Sequence, residues 1–363
     1  MKKISWVTPE AYLDTDLYII PLLCPYYDID WHVVSKGKTL YDEELKHLRG
    51  TKKIKIFLDV ISSRIRSLKT LVYYYRLAKE IKKKKPDYIY TGLNGYPYAL
   101  PIFKTVCGSI KTVVPVHNVN TPRGASNYHF AKWNVAQVLK SYHNFQTFSL
   151  SQFNLLKTLK QQANVFYIPF LLKDYGIPVT EPSKKITFLS FGNIRDYKRV
   201  DVLIEAAQQT YEKTAVDFIV EIAGSCDNWS KYQDMIRYPQ LFHLNIRKID
   251  NDEVPDLFGR SHYFVVPYQD IAQSGSVVVG INYDKPVIAS DLEAFREYVK
   301  DGVDGFLMKP ASVDSLVKIM IKILQHHDHI YPKLIKGLRQ MKTEHFAKET
   351  IVEKYCLMFE SLK

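Results

Sequence analysis

Short apolar, β-rich runs alternate along this chain with longer stretches in which apolar positions recur at helical spacing. In the first half the runs are Ile4–Val7, Ile29–Val34, Tyr88–Tyr90, Thr112–His117, Gln146–Leu150 and Val165–Ile168. The pattern halts over Lys173–Lys185, where Gly176, Pro178 and Pro182 fall without apolar periodicity. It resumes with Ile186–Phe191, Phe218–Ala223, Leu241–Ile246, Tyr263–Pro267 and Pro286–Ala289. Spacing predicts helices over Lys198–Tyr211, Asp252–Gly259 and Ser312–Gln325, and a closing amphipathic helix from about Phe346 to Leu362. Strands alternating with helices build parallel sheets. The expectation is therefore an α/β fold of two Rossmann-like domains, 1–172 and 173–345, with 346–363 a terminal helix packing back toward the first. In such sheets ligands sit at the carboxyl ends of the strands.

Composition narrows the class. A chain of 363 residues exceeds one ordinary core, and 46% hydrophobic with 24% charged residues is a globular balance. Leu17–Leu23 is the longest approach to a membrane span and is too short. Lys2 and Lys3 resemble the start of an export signal, but Asp14 and Asp16 fall where its apolar region belongs. Cys24, Cys107, Cys226 and Cys356 match no metal spacing and no redox pair, which fits a reducing cytoplasm. Charge is divided unevenly: residues 1–170 hold 25 Lys and Arg against 11 Asp and Glu, and the remainder 25 against 27. A basic half attracts phosphates on nucleic acid, lipid or substrate.

Two stretches carry candidate chemistry. In Phe188–Ala206 an apolar run ends in Gly192, and Arg195 and Lys198 then stand at the mouth of a helix. Helix amino ends favour anions, and a pair of cations beside one suits a diphosphate. An ordinary strand–turn–helix corner with solvated charges reads the same way. Downstream, Tyr268–Val277 places Ser274-Gly275-Ser276 at the start of an apolar helix, beyond a run ending at Pro267. Backbone and hydroxyl donors of such a turn suit phosphate oxygens. His117, followed by Asn118, ends a run in the first half; Asn120, Arg123 and His129 lie nearby. Three Asp-x-Asp pairs (14/16, 28/30, 250/252) are chance-level signals, and no metal is predicted.

Together these stretches resemble glycosyltransferase family 4. The resemblance rests on Gly192-Asn193-Ile194-Arg195-Asp196-Tyr197-Lys198, Ile222-Ala223-Gly224, Asp252–Phe258, Gln273–Asp291, Phe295–Val299 and Asp301–Gly305. It covers most of 184–310 and is looser before that, on strand order and Val116-His117-Asn118. It implies a GT-B fold whose two Rossmann-like domains face across a cleft. The first domain would bind a saccharide or lipid-linked saccharide acceptor and the second a nucleoside-diphosphate sugar, with retention of configuration and no tightly bound cofactor. It also implies that Lys198 contacts the donor phosphates, with Gly192, Asn193, Gly224, Ser274, Gly275 and Ser276 around them. Ile249 and Val254 would neighbour the base. His117 would face the transferred sugar, and Asn118, Asn120 and Arg123 the acceptor. Two features depart from the family: Asn193 stands where a second cation is usual, leaving Arg195 as the candidate. The usual glutamate pair falls near Ile271 and Val279, leaving Asp270 to stand in for the first.

Over Arg64–Lys85, helical geometry puts Arg66, Lys69, Arg76 and Lys83 on one side and Leu68, Leu71, Tyr75 and Ala78 on the other. A basic amphipathic helix reads as a membrane-surface element. The expectation is a peripheral enzyme at the inner face of the cytoplasmic membrane, working in cell-surface polysaccharide assembly. A non-catalytic nucleotide-sugar-binding scaffold and a basic nucleic-acid-binding protein remain as alternatives. The second lacks a reader module, and no nucleic-acid partner is expected.

Overall fold

The computed structural model describes residues 1–362 apart from 40, 50–53, 62, 64–66, 97, 120–127 and 272–274, and only the backbone over 128–131. Arg66, Asn120, Arg123 and Ser274 thus lie outside the described residues, as does the His129 side chain.

The chain forms two compact units, one comprising Met1–Leu171 with Lys348–Lys363, the other Leu172–Ala347. The first carries β1 (Lys2–Pro9), α1 (Leu13–Leu23), β2 (Tyr27–Ser35), α2 (Asp42–Leu48), β3 (Ile54–Val60), α3 (Leu68–Lys83) and β4 (Tyr88–Thr91). It continues with α4 (Ala99–Cys107), β5 (Lys111–Pro115), α5 (Tyr128–Ser141), β6 (Asn144–Thr147), α6 (Leu150–Leu159) and β7 (Asn164–Tyr167). Its strands are parallel in the order β3-β2-β1-β4-β5-β6-β7. The second unit carries β8 (Thr187–Phe191), α7 (Val200–Thr214), β9 (Ile219–Ala223), α8 (Ser230–Gln233), β10 (Phe242–Asn245) and α9 (Val254–Arg260). β11 (Tyr263–Val266), α10 (Gly275–Asn282), β12 (Val287–Ser290), α11 (Glu293–Arg296), β13 (Gly305–Met308) and α12 (Val313–Phe346) complete it. Its sheet, also parallel, runs β10-β9-β8-β11-β12-β13. That order is the doubly wound one, with the switch point between β8 and β11; the equivalent point in the first unit lies between β1 and β4.

The closing helix, α13 (Lys348–Ser361), belongs to the first unit. Its Ile351, Tyr355, Met358 and Phe359 join Trp6, Trp31 and Tyr90 in one core. Tyr355 accepts a hydrogen bond from Gln146 Nε2 at 3.0 Å, and Gln146 Oε1 accepts one from Tyr90 at 2.7 Å. Buried polar groups are thereby paired, as a buried amide and phenol must be.

Several boundaries differ from the sequence reading. The run Gln146–Leu150 stops as a strand at Thr147, because Ser149 caps α6 by accepting from Gln152 N. β5 ends at Pro115, two residues before His117. The helix expected over Ser312–Gln325 continues to Phe346 through a bend at His326. In α3, which starts only at Leu68 behind the Ser67 cap, the core face is Thr70, Tyr74, Leu77, Ala78 and Ile81. Leu68 and Tyr75, expected opposite the cations, are 79% and 46% exposed and share the outer face with Lys69, Arg76 and Lys83. No described helix is long and apolar enough to cross a membrane.

Candidate functional site

The sharpest geometry stands at the switch point of the second unit. Gly192 leaves β8 at φ +103° and donates from its N–H to Ala223 O at 2.9 Å. Gly224 leaves β9 at φ +154° with its backbone packed on Gly192: a Cβ there would lie 2.2 Å from the Gly192 carbonyl oxygen. The two loops then run side by side, with Ile194 N donating to Ser225 O at 2.8 Å and Ser225 Oγ to Asn193 Oδ1 at 2.7 Å. Only glycine permits this approach.

The corner delivers Lys198. Its ammonium sits 3.2 Å from where a Gly192 Cβ would stand and 5.6 Å from the centre of the Tyr268 ring. Lys198 is half-buried, and no carboxylate among the described residues lies within ion-pair distance. Burial, and after it the Arg195 charge, lowers its pKa below the ordinary lysine value. An ammonium left without a counter-ion in a partly dry corner is what an arriving anion would satisfy.

The loop after β11 is tied to the same corner. Gln269 N donates to Tyr197 O at 2.8 Å, and Arg199, which immediately precedes α7, reaches Gln269 Oε1 at 3.2 Å while gripping Asp201. Tyr268 packs edge-on against Tyr197, and its hydroxyl lies 3.3 Å from Ser276 Oγ in the first turn of α10. Gly192, Lys198, Tyr268, Gly275 and Ser276 thus gather at one end of the sheet. Asp270 stands exposed on this loop.

Other candidates are placed differently. Arg195 is exposed and its guanidinium is taken up by Asp227, so it does not stand free as a second cation. Asn193 is exposed. Val254 is buried at the start of α9 and spent on packing, while Ile249 is half-exposed before it. The Asp-x-Asp pairs are engaged locally: Asp16 accepts from Thr8 Oγ1, Asp30 pairs with Lys3, and Asp250 caps the turn before α9.

Neither Tyr268 nor Lys173 stands out in the sequence. Tyr268 is visible only as the first residue past Pro267 at the switch point. Lys173, in the stretch without periodicity, brings its Nζ to 3.9 Å from where a Gly275 Cβ would stand.

In the first unit, His117 is half-buried just beyond β5, stacked on Tyr12 with ring centres 4.2 Å apart. Phe148 and Phe170 approach it at 4.4 and 5.3 Å. Tyr12, beyond β1, donates to Asn94 Oδ1 at 3.2 Å, and Asn94 Nδ2 donates to Pro115 O at 2.8 Å. Asn118 follows, half-buried. The carboxyl ends of β1, β4 and β5 thus hold one imidazole in an aromatic frame.

Comparison with known proteins bears on the fold. Residues 178–340 match the family model "Glycosyl transferases group 1". Over 133 residues the chain is 26% identical to an uncharacterized glycosyltransferase, MJ1178, of Methanocaldococcus jannaschii, covering 36% of each chain. Over 113 residues it is 25% identical to an uncharacterized 41.2 kDa protein in the cps region of Klebsiella pneumoniae, covering 31% of each. The matched part thus spans about a third of the length of these curated relatives. Among solved structures, Alr3699/HepE of Anabaena, in complex with UDP and glucose, superposes with a TM-score of 0.76 at 16% identity over 100% of both chains. S. aureus TarM, in complex with Fondaparinux, alpha-GlcNAc-glycerol and UDP, gives 0.75 at 13% over 99% of this chain and 100% of its own. The fold is therefore the α/β GT-B fold of two Rossmann-like units in one chain.

Proposed function

We propose that the protein is a nucleotide-sugar-dependent glycosyltransferase whose C-terminal unit holds the donor. The observation that carries this reading is Lys198: a half-buried ammonium over Gly192, at the switch point where doubly wound sheets take ligands. The donor diphosphate lies between Lys198 and the amino end of α10, and both stabilise the charge that builds on it as the glycosidic bond breaks. The acceptor hydroxyl attacks the anomeric carbon, the bond to the β-phosphate oxygen breaks, and the hydroxyl proton leaves with the departing diphosphate. The family resemblance supports retention of configuration. His117, stacked on Tyr12 beyond β5, is the residue of the N-terminal unit for which the family resemblance supports a role in the transfer.

The acceptor is a saccharide or lipid-linked saccharide at an anionic membrane surface, in cell-surface polysaccharide assembly. Supporting this are the exposed cations of α3 and the Klebsiella relative from a cps region. TarM and HepE were crystallised with UDP and sugars, which favours a uridine donor here. A thermal-shift screen of nucleotide sugars tests the donor site. A compound that stabilises the parent protein and not Lys198→Ala supports it. If every nucleotide sugar leaves both proteins unmoved, the reading falls.

A further inference from the structure

Arg199 is held in a strained conformation. It stands between the short turn Asp196–Lys198 and α7 at φ +53° and ψ +47°, a left-handed geometry that glycine adopts freely and arginine only at a cost. Such strain persists where surrounding contacts over-determine it, and it concentrates at functional sites. We propose that Arg199 is a positioning residue of the donor site, aiming Lys198 and keeping the loop after β11 in step with it. The inference rests on the donor-site reading above and adds a residue that acts through Lys198.

The contacts run in two directions from one guanidinium. Toward α7, Nε donates to both carboxylate oxygens of Asp201 at 3.0 Å, and Nη2 donates to Oδ2 at 2.7 Å. Toward the loop after β11, Nη1 donates to Gln269 Oε1 at 3.2 Å. The backbone is fixed on either side as well. Lys198 N donates to Arg195 O at 2.9 Å, Arg199 N to Asp196 O at 3.2 Å, and Val202 N to Arg199 O at 3.0 Å. Gln269 N in turn donates to Tyr197 O at 2.8 Å, so side chain and backbone of one residue both join the loop to the turn.

What this arrangement fixes is the place of the Lys198 ammonium. That group stands 3.2 Å from the Cβ position of Gly192 and 5.6 Å from the centre of the Tyr268 ring. Lys198 immediately precedes Arg199, and Tyr268 immediately precedes Gln269. The two side chains that define the corner therefore sit one residue away from the two ends of the Arg199–Gln269 link. The charge of Arg199 is spent on Asp201, so it steers the phosphate-binding lysine and does not itself bind phosphate. A binding group is useful only as far as its neighbours lock it in place.

The test titrates UDP into the intact chain. Parent, Arg199→Gly, Lys198→Met, the double variant and Gln269→Leu are compared, with unliganded Tm measured for each. Glycine at position 199 keeps the turn without strain and deletes the link, so the unliganded Tm stays close to that of the parent. Misplacing one binding group predicts roughly tenfold weaker UDP binding by Arg199→Gly. The same change costs little once Lys198 is already Met, because the effect runs through the ammonium. Released from its partly buried corner, Lys198 titrates more like an ordinary lysine, so the alkaline loss of affinity moves to higher pH in Arg199→Gly. Gln269→Leu cuts the link from its other end, leaves Asp201 gripped, and weakens binding in the same sense.

Parent-like affinity in Arg199→Gly overturns the proposal. An equal loss with and without Lys198, at an unshifted pH profile, makes Arg199 a contact in its own right and overturns it too. A fall in unliganded Tm of Arg199→Gly, beside parent-like binding by Gln269→Leu, assigns Arg199 a structural role with the same result. Failure of the parent itself to bind UDP or any nucleotide sugar defeats the donor-site reading instead.

Discussion

Gly224 packs so closely on Gly192 that a single methyl group would sit 2.2 Å from the Gly192 carbonyl oxygen. The contact is backbone against backbone, so no side chain can rotate away to relieve it. Gly224→Ala must therefore part the loops that follow β8 and β9, in addition to straining a residue at φ +154°. A stability loss of about 2–4 kcal/mol is expected, together with loss of nucleotide-sugar binding. Denaturant unfolding with a parallel thermal shift measures both. Gly302→Ala is the control: φ is +71° but nothing lies within 4 Å of its Cβ position, so only about 1–2 kcal/mol of backbone strain applies. Equal losses in the two variants would contradict the packing argument.

Lys198 predicts an unusual pH dependence of binding. Burial lowers its pKa below the free lysine value of 10.5, so the neutral form appears at lower pH than on an exposed lysine. A diphosphate needs the charged form. Affinity should weaken as pH rises through the alkaline range below 10.5, with proton uptake on binding there. Lys198→Met should lose this slope along with most of the affinity, while its unliganded stability holds or improves. Calorimetry in buffers of differing ionisation enthalpy reads the uptake directly.

The sequence exposed the second unit well because its central strands, β8, β9, β11 and β12, are mostly buried and predominantly apolar. β3 escaped notice as an edge strand that leaves Lys55, Leu58 and Val60 exposed, and four-residue β13, also at an edge, is too short to signal itself. The polar run around His326 disguises the continuation of α12. The Gly192–Lys198 corner was legible because its residues are consecutive. Lys173 was not, since it approaches Gly275 from a segment whose Tyr175 N donates to the Tyr283 hydroxyl, about a hundred positions away in the chain. The second failure concerns α3: helical spacing alone does not reveal which arc faces the sheet, and Leu68 and Tyr75 turned out to be exposed.

Stability of the second unit should fall on acidification. Burial, and then His327 and Lys285, lower the His262 pKa from 6.5 to about 4, with Nδ1 accepting from Thr187 N. The folded form therefore resists protonation that the unfolded chain accepts, so stability is full above pH 6.5 and drains away toward pH 4. The lowered His327 adds in the same sense. Lys285, nearly buried and held at about 8, contributes a further rise above neutrality. Lys285→Met removes that desolvated charge and should raise Tm at pH 7 while flattening the alkaline limb. A Tm that peaks near pH 5 would refute the assignment.

His117 is held by its neighbours, and Tyr12 is the one that can be altered gradually. Tyr12→Phe keeps the stack on the imidazole but loses the hydrogen bond to Asn94; Tyr12→Ala loses both. If His117 addresses the transferred group, turnover should fall slightly in the first variant and by about tenfold or more in the second. Donor affinity should be unchanged in both, because the proposed donor-binding Lys198 lies in the other unit. A change in donor affinity matching the change in turnover would mean that Tyr12 supports the fold generally.

The outer face of α3 combines two features that make separable predictions. Leu68, Val72 and Tyr75 form an exposed apolar row, 79%, 49% and 46% accessible, and Lys69, Arg76 and Lys83 run beside it. Electrostatic attraction acts at a distance and is screened by salt; apolar insertion is short-ranged and resists it. Co-sedimentation with vesicles rich in anionic lipid should therefore show strong binding at low salt, with each cation contributing about 1 kcal/mol. Charge reversal of Lys69, Arg76 and Lys83 to Glu should abolish binding at every salt concentration. Leu68→Ser with Val72→Ser should leave low-salt binding largely intact but remove the fraction that survives high salt, because the cations alone hold the helix at the headgroups without anchoring it. Equal binding to neutral vesicles, or indifference to the charge reversal, would mean that this face serves no membrane.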